Sequence, residues 1–124
     1  MEIGLLNYAD AMVNCQNKFG SKNTGKLFEP KDSSTNDQVI KFAQRMILPS
    51  TKPLYIGIND IAIGGTWQYA TGGNLNYTNW KNGEPSNGRR NAEAWEDCGL
   101  TWNPGTTWND GVCSDEQHSI CEII

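Results

Sequence analysis

Four cysteines, at positions 15, 98, 113 and 121, constrain this chain of 124 residues more than any other feature. None of them form a Cys-x-x-Cys pair, so a structural zinc site has little support. An even number in a short chain points instead to two disulfides and an oxidising, extracellular compartment. Four cysteines allow several pairings, and spacing does not choose among them. The need for covalent bracing is plain from composition: hydrophobic residues make up 37% of the chain, so the core is small. Thirteen Gly and five Trp indicate a loop-rich domain packed around rigid aromatics.

The length suits one domain over residues 1–124. A formal charge of −4 supplies no basic face for nucleic acid or anionic lipid. No apolar run approaches the roughly 20 residues that span a bilayer, so membrane insertion is not expected. The start, Met1-Glu2-Ile3-Gly4-Leu5-Leu6, is too short and acidic for a signal peptide. A secreted natural protein would have had its signal removed. Asn76-Tyr77-Thr78 is an acceptor sequon, in agreement with secretion.

Two helices are predicted early in the chain. Asn7 caps the first, along which Tyr8, Ala11, Met12, Cys15 and Phe19 recur at helical spacing before Gly20. The second starts near Ser34, carries the stripe Val39, Phe42, Ala43, Met46 and Ile47, and stops before Pro49. Leu54–Ile58 is expected as a buried strand and Thr66–Tyr69 as a second. A long polar loop without periodicity runs from Asn74 to Ala94. Residues 98–102, 106–108 and 119–123 are predicted as closing strands. Helices first and strands last make an α+β arrangement rather than a parallel βαβ one.

Oxygen ligands concentrate around that loop. Glu84-Pro85-Ser86 lies inside it, Glu96-Asp97 precedes Cys98, and Asn109-Asp110 follows Trp108. Glu84, Glu96 and Asp110 bring carboxylates, Asn109 an amide oxygen and Ser86 a hydroxyl, a set suited to calcium. Carboxylates gathered without a cation would repel and their pKa values would rise. A divalent ion removes that cost.

These motifs carry a family resemblance. Tyr55-Ile56-Gly57-Ile58 resembles the hydrophobic strand signature of C-type lectin-like domains. Glu84-Pro85-Ser86 resembles their sugar-specificity tripeptide, Glu96-Asp97-Cys98 their acidic pair, and Trp108-Asn109-Asp110 their strand motif. The likeness runs from Tyr8 to Glu122, in the family's order. It implies the C-type lectin-like fold, with two helices, antiparallel sheets and a long calcium- and sugar-binding loop. It implies the pairings Cys15–Cys121 and Cys98–Cys113. It also implies a cis bond at Glu84–Pro85, which for X-Pro costs only about 0.5–1 kcal/mol.

The implied function is calcium-dependent binding of glycans, on cell surfaces or microbes, in innate immunity or cell recognition. Glu84, Ser86, Glu96, Asn109 and Asp110 would hold both ion and sugar, with Glu84 and Glu96 accepting from hydroxyls and Asn109 donating. Asp110 would add its backbone carbonyl. Trp95 is a candidate to stack on the apolar face of galactose, with plain packing as its alternative. Mannose-type tripeptides end in Asn and the galactose type is Gln-Pro-Asp. Ser86 fits neither, and a member with the same Glu-Pro-Ser prefers galactose, so galactose is slightly favoured. Arg89 and Arg90 are expected at a solvated loop tip, with Glu93 a substitute for Glu96 if the loop folds differently. A second calcium site has Asp60 and Asp97 in place, but Gly64 and Asn87 stand where acids are expected.

Other classes fit less well. His118 is the only histidine and lies near Cys121, expected to be oxidised, so a Cys–His nucleophilic pair is not expected and the chain is not read as an enzyme. The better rival is a calcium-independent protein-binding or ice-binding domain of the same fold, with Thr101, Thr106 and Thr107 as a weak hint of an ice face. A homodimer would be non-covalent, because no fifth cysteine is present.

Overall fold

The computed structural model describes residues 5–17, 25–46, 53–84, 89–91, 94–102 and 105–123, with backbone alone at 89–91, 94–96 and 102. Helix α1 (Tyr8–Asn17) starts where the sequence places it, because Asn7 Oδ1 accepts the Asp10 N–H at 2.9 Å. Tyr8, Ala11 and Cys15 form its buried face. Strand β1 (Gly25–Leu27) follows, then α2 (Ser33–Met46).

Helix α2 starts within one residue of the expected Ser34, and Asp32 caps it. Its carboxylate accepts the Thr35 N–H at 2.7 Å and the Thr35 hydroxyl at 3.2 Å. The predicted stripe is rotated. Asn36, Ile40, Ala43 and Gln44 are buried, while Phe42 and Met46 are 62% and 58% exposed. The cause is polar: Asn36 Oδ1 accepts the Trp108 indole N–H at 2.8 Å and Gln44 donates to the Gly105 carbonyl at 2.9 Å. Two amides, one of them satisfying the buried Trp108 indole, orient the helix against the order that hydrophobicity gives. Phe19, Gly20, Ile47 and Pro49 lie outside the described residues.

The remaining strands are β2 (Leu54–Asn59), β3 (Gln68–Tyr69), β4 (Arg89–Asn91), β5 (Ala94–Trp102), β6 (Thr107–Val112), β7 (His118–Ser119) and β8 (Cys121–Ile123). A small sheet pairs β1 with β8, antiparallel. The larger sheet runs β3-β2-β5-β4, with β6 on β5 and β7 parallel to β2. Expected as a buried strand, β2 lies at the centre and separates two apolar clusters. Leu54, Ile56 and Ile58 pack with Phe28, Ile40 and Trp108, whereas Tyr55 packs with Tyr8, Cys15 and Leu100. That division follows from strand alternation. Among the described residues, no helix is long and apolar enough to cross a membrane.

Both disulfides have the pairing that the resemblance implied. Cys15–Cys121 ties α1 to β8 and Cys98–Cys113 ties β5 to the turn after β6, each with Cα atoms 5.3 Å apart. The glycine of the Tyr55–Ile58 signature has a specific reason. Gly57 donates its N–H to the Phe28 carbonyl at 2.6 Å, and a Cβ there would lie 2.8 Å from the Leu27 carbonyl oxygen. Backbone cannot give way as a side chain can. Gly57→Ala is therefore expected to destabilise the domain by about 1–3 kcal/mol. A lower urea midpoint at unchanged slope would show it, and an unchanged midpoint would mean that the crossing chain moves freely.

Candidate functional site

Strand β6 carries two of the expected ligands, Asn109 and Asp110. Its Trp108 is buried and held by the Asn36 bond, with Trp80 and Tyr77 edge-on at 5.5 and 5.6 Å. On one side, the segment before the tripeptide pairs with it: Trp108 N–H donates to Asn79 O and Lys81 N–H to Trp108 O, both at 2.8 Å. A turn closed by the Glu84 N–H on Lys81 O, 2.8 Å, with Gly83 at φ 85°, then presents Glu84. Gly83 serves here because a positive φ costs it little. Glu84 is half-buried and so is Asn109, while Asp110 is 1% exposed.

On the other side, β5 pairs with β6 in the register Glu96↔Val112, Cys98↔Gly111, Gly99↔Asp110 and Leu100↔Asn109. The register shifts between Glu96 and Cys98, a bulge that sets Asp97 apart from the ladder. Glu96 is thus paired with Val112, the last residue of β6 and two residues beyond Asp110. Asn109 Oδ1 accepts the Asp110 N–H at 2.9 Å, which fixes the Asn109 side chain and leaves that oxygen a second lone pair.

Hydrogen bonds thus join the segment before Glu84 to Trp108, next to Asn109 and Asp110, while Glu96 pairs farther along β6 with Val112. Ser86, Asn87, Glu93, the Glu84–Pro85 peptide and the side chains of Trp95 and Glu96 lie outside the described residues. Arg89 and Arg90 are not on an irregular tip: they belong to β4, which pairs with β5 through Arg89↔Trp95 and Asn91↔Ala94. Among the described residues, no three Asp, Glu, His or Cys side chains gather to hold a metal. The described donors are two carboxylates and an amide oxygen, a hard set that suits calcium in kind.

A second acidic pair lies beside this one. Asp60, at the end of β2, is 2% exposed; its Oδ2 accepts the Gly65 N–H at 2.8 Å and its N–H donates to Asp97 O at 3.0 Å. Its Oδ1 has no hydrogen-bond partner among the described residues. Burial, and then the neighbouring Asp97 carboxylate, push the Asp60 carboxyl up to about 6 against the opposing pull of the Gly65 N–H. Gly64 stands in the exposed loop that follows.

A raised carboxyl pKa means that the folded chain holds this proton more tightly than the unfolded one. Stability is then greatest in acid and falls as pH rises from about 4 towards 6. Asp60→Asn, melted in EDTA, is expected to be more stable than the parent at pH 7 and to lose that fall. An amide there keeps the Gly65 bond and offers a donor to Asp97. A variant with lower melting temperature at pH 7 would show that the charged form is the stabilising one.

The residues that sequence reasoning missed are the ones that position the loop. Asn79 receives Trp108 through its carbonyl and donates its amide to Thr106 O at 2.9 Å. Trp80 bridges Trp108 and the half-buried Trp67, the latter at 4.8 Å. The signal was the Asn79-Trp80 pair close before Glu84-Pro85, inside a stretch treated only as loop. His118 sits on β7, half-buried, with Nδ1 lacking a partner among the described residues.

Comparison with known proteins bears on the whole arrangement. The profile of the lectin C-type domain matches residues 5–123. Collectin-43 of Bos taurus is 35% identical over 117 residues, covering 94% of this chain and 33% of that protein. Mannose-binding protein of Gallus gallus is 37% identical over 98 residues, 78% of this chain and 34% of that one. The chain thus spans about a third of these relatives. Among solved structures, C-type lectin CEL-I from Cucumaria echinata superposes with a TM-score of 0.83 at 20% identity, covering 97% of this chain and 84% of that one. The cow CD23 carbohydrate-recognition domain, determined in the presence of a GlcNAc2Man3 oligosaccharide, gives 0.77 at 23% identity, covering 98% and 83%.

Proposed function

The chain belongs to the lectin C-type domain family of non-enzymatic carbohydrate-binding domains, and from that we propose that it is an extracellular, calcium-dependent lectin for terminal hexoses. The observation that carries the reading is the pairing of β6 on both sides: the Glu84 segment through Trp108, and the Glu96 segment through Val112.

In this reading Glu84, Ser86, Glu96, Asn109 and Asp110 hold the calcium ion. When bound, the ion supplies open positions for two vicinal hydroxyls of a pyranose. The chain's own groups do the discrimination. Glu84 and Glu96 accept the hydroxyl protons, and the amide of Asn109 and the hydroxyl of Ser86 donate. Serine is shorter than the amide of mannose-type tripeptides and offers one donor, so galactose is favoured. In this reading Trp95 covers the apolar face of that sugar. The chicken relative is named for mannose, which makes the hexose the first point to measure. Such a site is shallow and wet, so monosaccharide affinity is weak and useful avidity comes from multivalency.

The test is a glycan array probed with millimolar calcium and again with EDTA. Binding expected only with calcium, strongest on terminal galactose, supports the proposal. Binding that ignores EDTA places recognition elsewhere on the domain. No binding by folded protein in either condition favours the protein-binding or ice-binding reading of the fold.

A further inference from the structure

We propose that Asn76 carries an N-linked glycan. Asn76-Tyr77-Thr78 is the only Asn-x-Ser/Thr triplet in the chain. The sugar-binding site does not use it. Around it exposure alternates: Leu75, Tyr77 and Asn79 are half-buried, whereas Asn76 and Thr78 are exposed. Leu75 and Tyr77 pack against the main core, while Asn76, at a bend between them, and Thr78 stay exposed.

The asparagine is also held in a usable orientation. Its Oδ1 accepts from the hydroxyl of buried Tyr69, and its backbone N–H donates back to that oxygen at 3.4 Å. The Tyr69 hydroxyl is fixed in turn, 3.0 Å from the Pro30 carbonyl. With the amide anchored through its oxygen, Nδ2 makes no hydrogen bond among the described residues, and Asn76 is exposed. A sugar on that nitrogen displaces nothing, and the substituted amide keeps the acceptor that Tyr69 uses. The two disulfides place folding in the oxidising compartment where such transfer occurs.

The chemistry is amide N-glycosylation. Asn76 Nδ2 forms a bond to the anomeric carbon of an oligosaccharide supplied on a lipid diphosphate. The bond from that carbon to the diphosphate oxygen breaks, the lipid diphosphate leaves with the electron pair, and one N–H proton passes to a base of the transferase. The glycan is rooted before Asn79, where the chain joins β6, so it does not disturb the Glu84 turn.

The proposal rests on the extracellular reading and is separable from the sugar site. The full chain, behind a cleavable secretory leader, is expressed in mammalian cells, and the secreted protein is weighed before and after PNGase F. The expected result is a heavier, heterogeneous product that collapses to one mass, with the asparagine at 76 converted to aspartate. Thr78→Ala leaves Asn76 and its Tyr69 bond in place and is expected to abolish the glycan, while Thr78→Ser retains it. Secreted, disulfide-bonded parent protein without a glycan overturns the proposal, as does a glycan that survives Thr78→Ala. Glycan-array binding is expected to be the same for Asn76→Gln and parent, so failure of the lectin reading and failure of this one give different results.

Discussion

Asp110→Ala is expected to abolish calcium-dependent sugar binding while leaving the domain folded. Asp110 is 1% exposed and lies on β6 between buried Trp108 and Val112. Its position is set by the pairing Gly99↔Asp110 and by its own N–H on Asn109 Oδ1. Loss of groups that merely orient metal ligands costs 10–100-fold in affinity, so loss of a direct ligand costs at least about 100-fold. Two readouts check it. Retention on a galactose resin in calcium should disappear, and the rise in melting temperature that calcium gives the parent should vanish with it. That rise is mass action, about 2.7 kcal/mol at a hundredfold excess over Kd. Asp110→Asn separates charge from volume: it fills the same space and is expected to lose calcium almost as completely. Melting in EDTA close to the parent's would place the loss at the site. Normal sugar binding by Asp110→Ala would remove the residue from the ligand set.

Parts of this molecule were legible in the sequence because one physical term dominated them. The run Leu54–Ile58 has no polar alternative to burial, and Trp108 followed by Asn109-Asp110 marks a strand with one foot in the core. The α2 face was not legible. Hydrophobicity ranks Phe42 and Met46 above Asn36 and Gln44, yet the structure buries the amides because Trp108 and Gly105 need partners. Those needs arise roughly 60 to 70 residues away, beyond any local pattern. The short strands β1 and β4 escaped for a related reason. Gly-Lys-Leu and Arg-Arg-Asn have little strand propensity and owe their conformation to β8 and β5. The ligand list came from motif order, and the tethering of the segment before Glu84 to Trp108 through Asn79 and Trp80 is a tertiary fact.

Removing the two disulfides one at a time is expected to divide stability from function. Cys15–Cys121 closes 106 residues and Cys98–Cys113 closes 15. On the chain-entropy model these closures contribute about 4.7 and about 3 kcal/mol. For a domain of this size, Cys15→Ala with Cys121→Ala should lower the melting temperature by roughly 15–20 °C. The bond lies between α1 and β8, away from β6, so calcium-dependent binding should persist well below the new melting temperature. The shorter bridge behaves differently. It fixes the middle of β5, beside Glu96–Asp97, to the turn that leaves β6, where the bulge already weakens the ladder. Cys98→Ala with Cys113→Ala should cost less in melting temperature but loosen the strand that presents Glu96, and so weaken calcium binding at a temperature where the domain is folded. Isothermal calcium titration of both double variants at 10 °C, beside their melting curves, checks the division. If the long-bridge variant lost calcium affinity as much as the short-bridge one, the ligands would depend on global rigidity rather than on the local brace at β5 and β6.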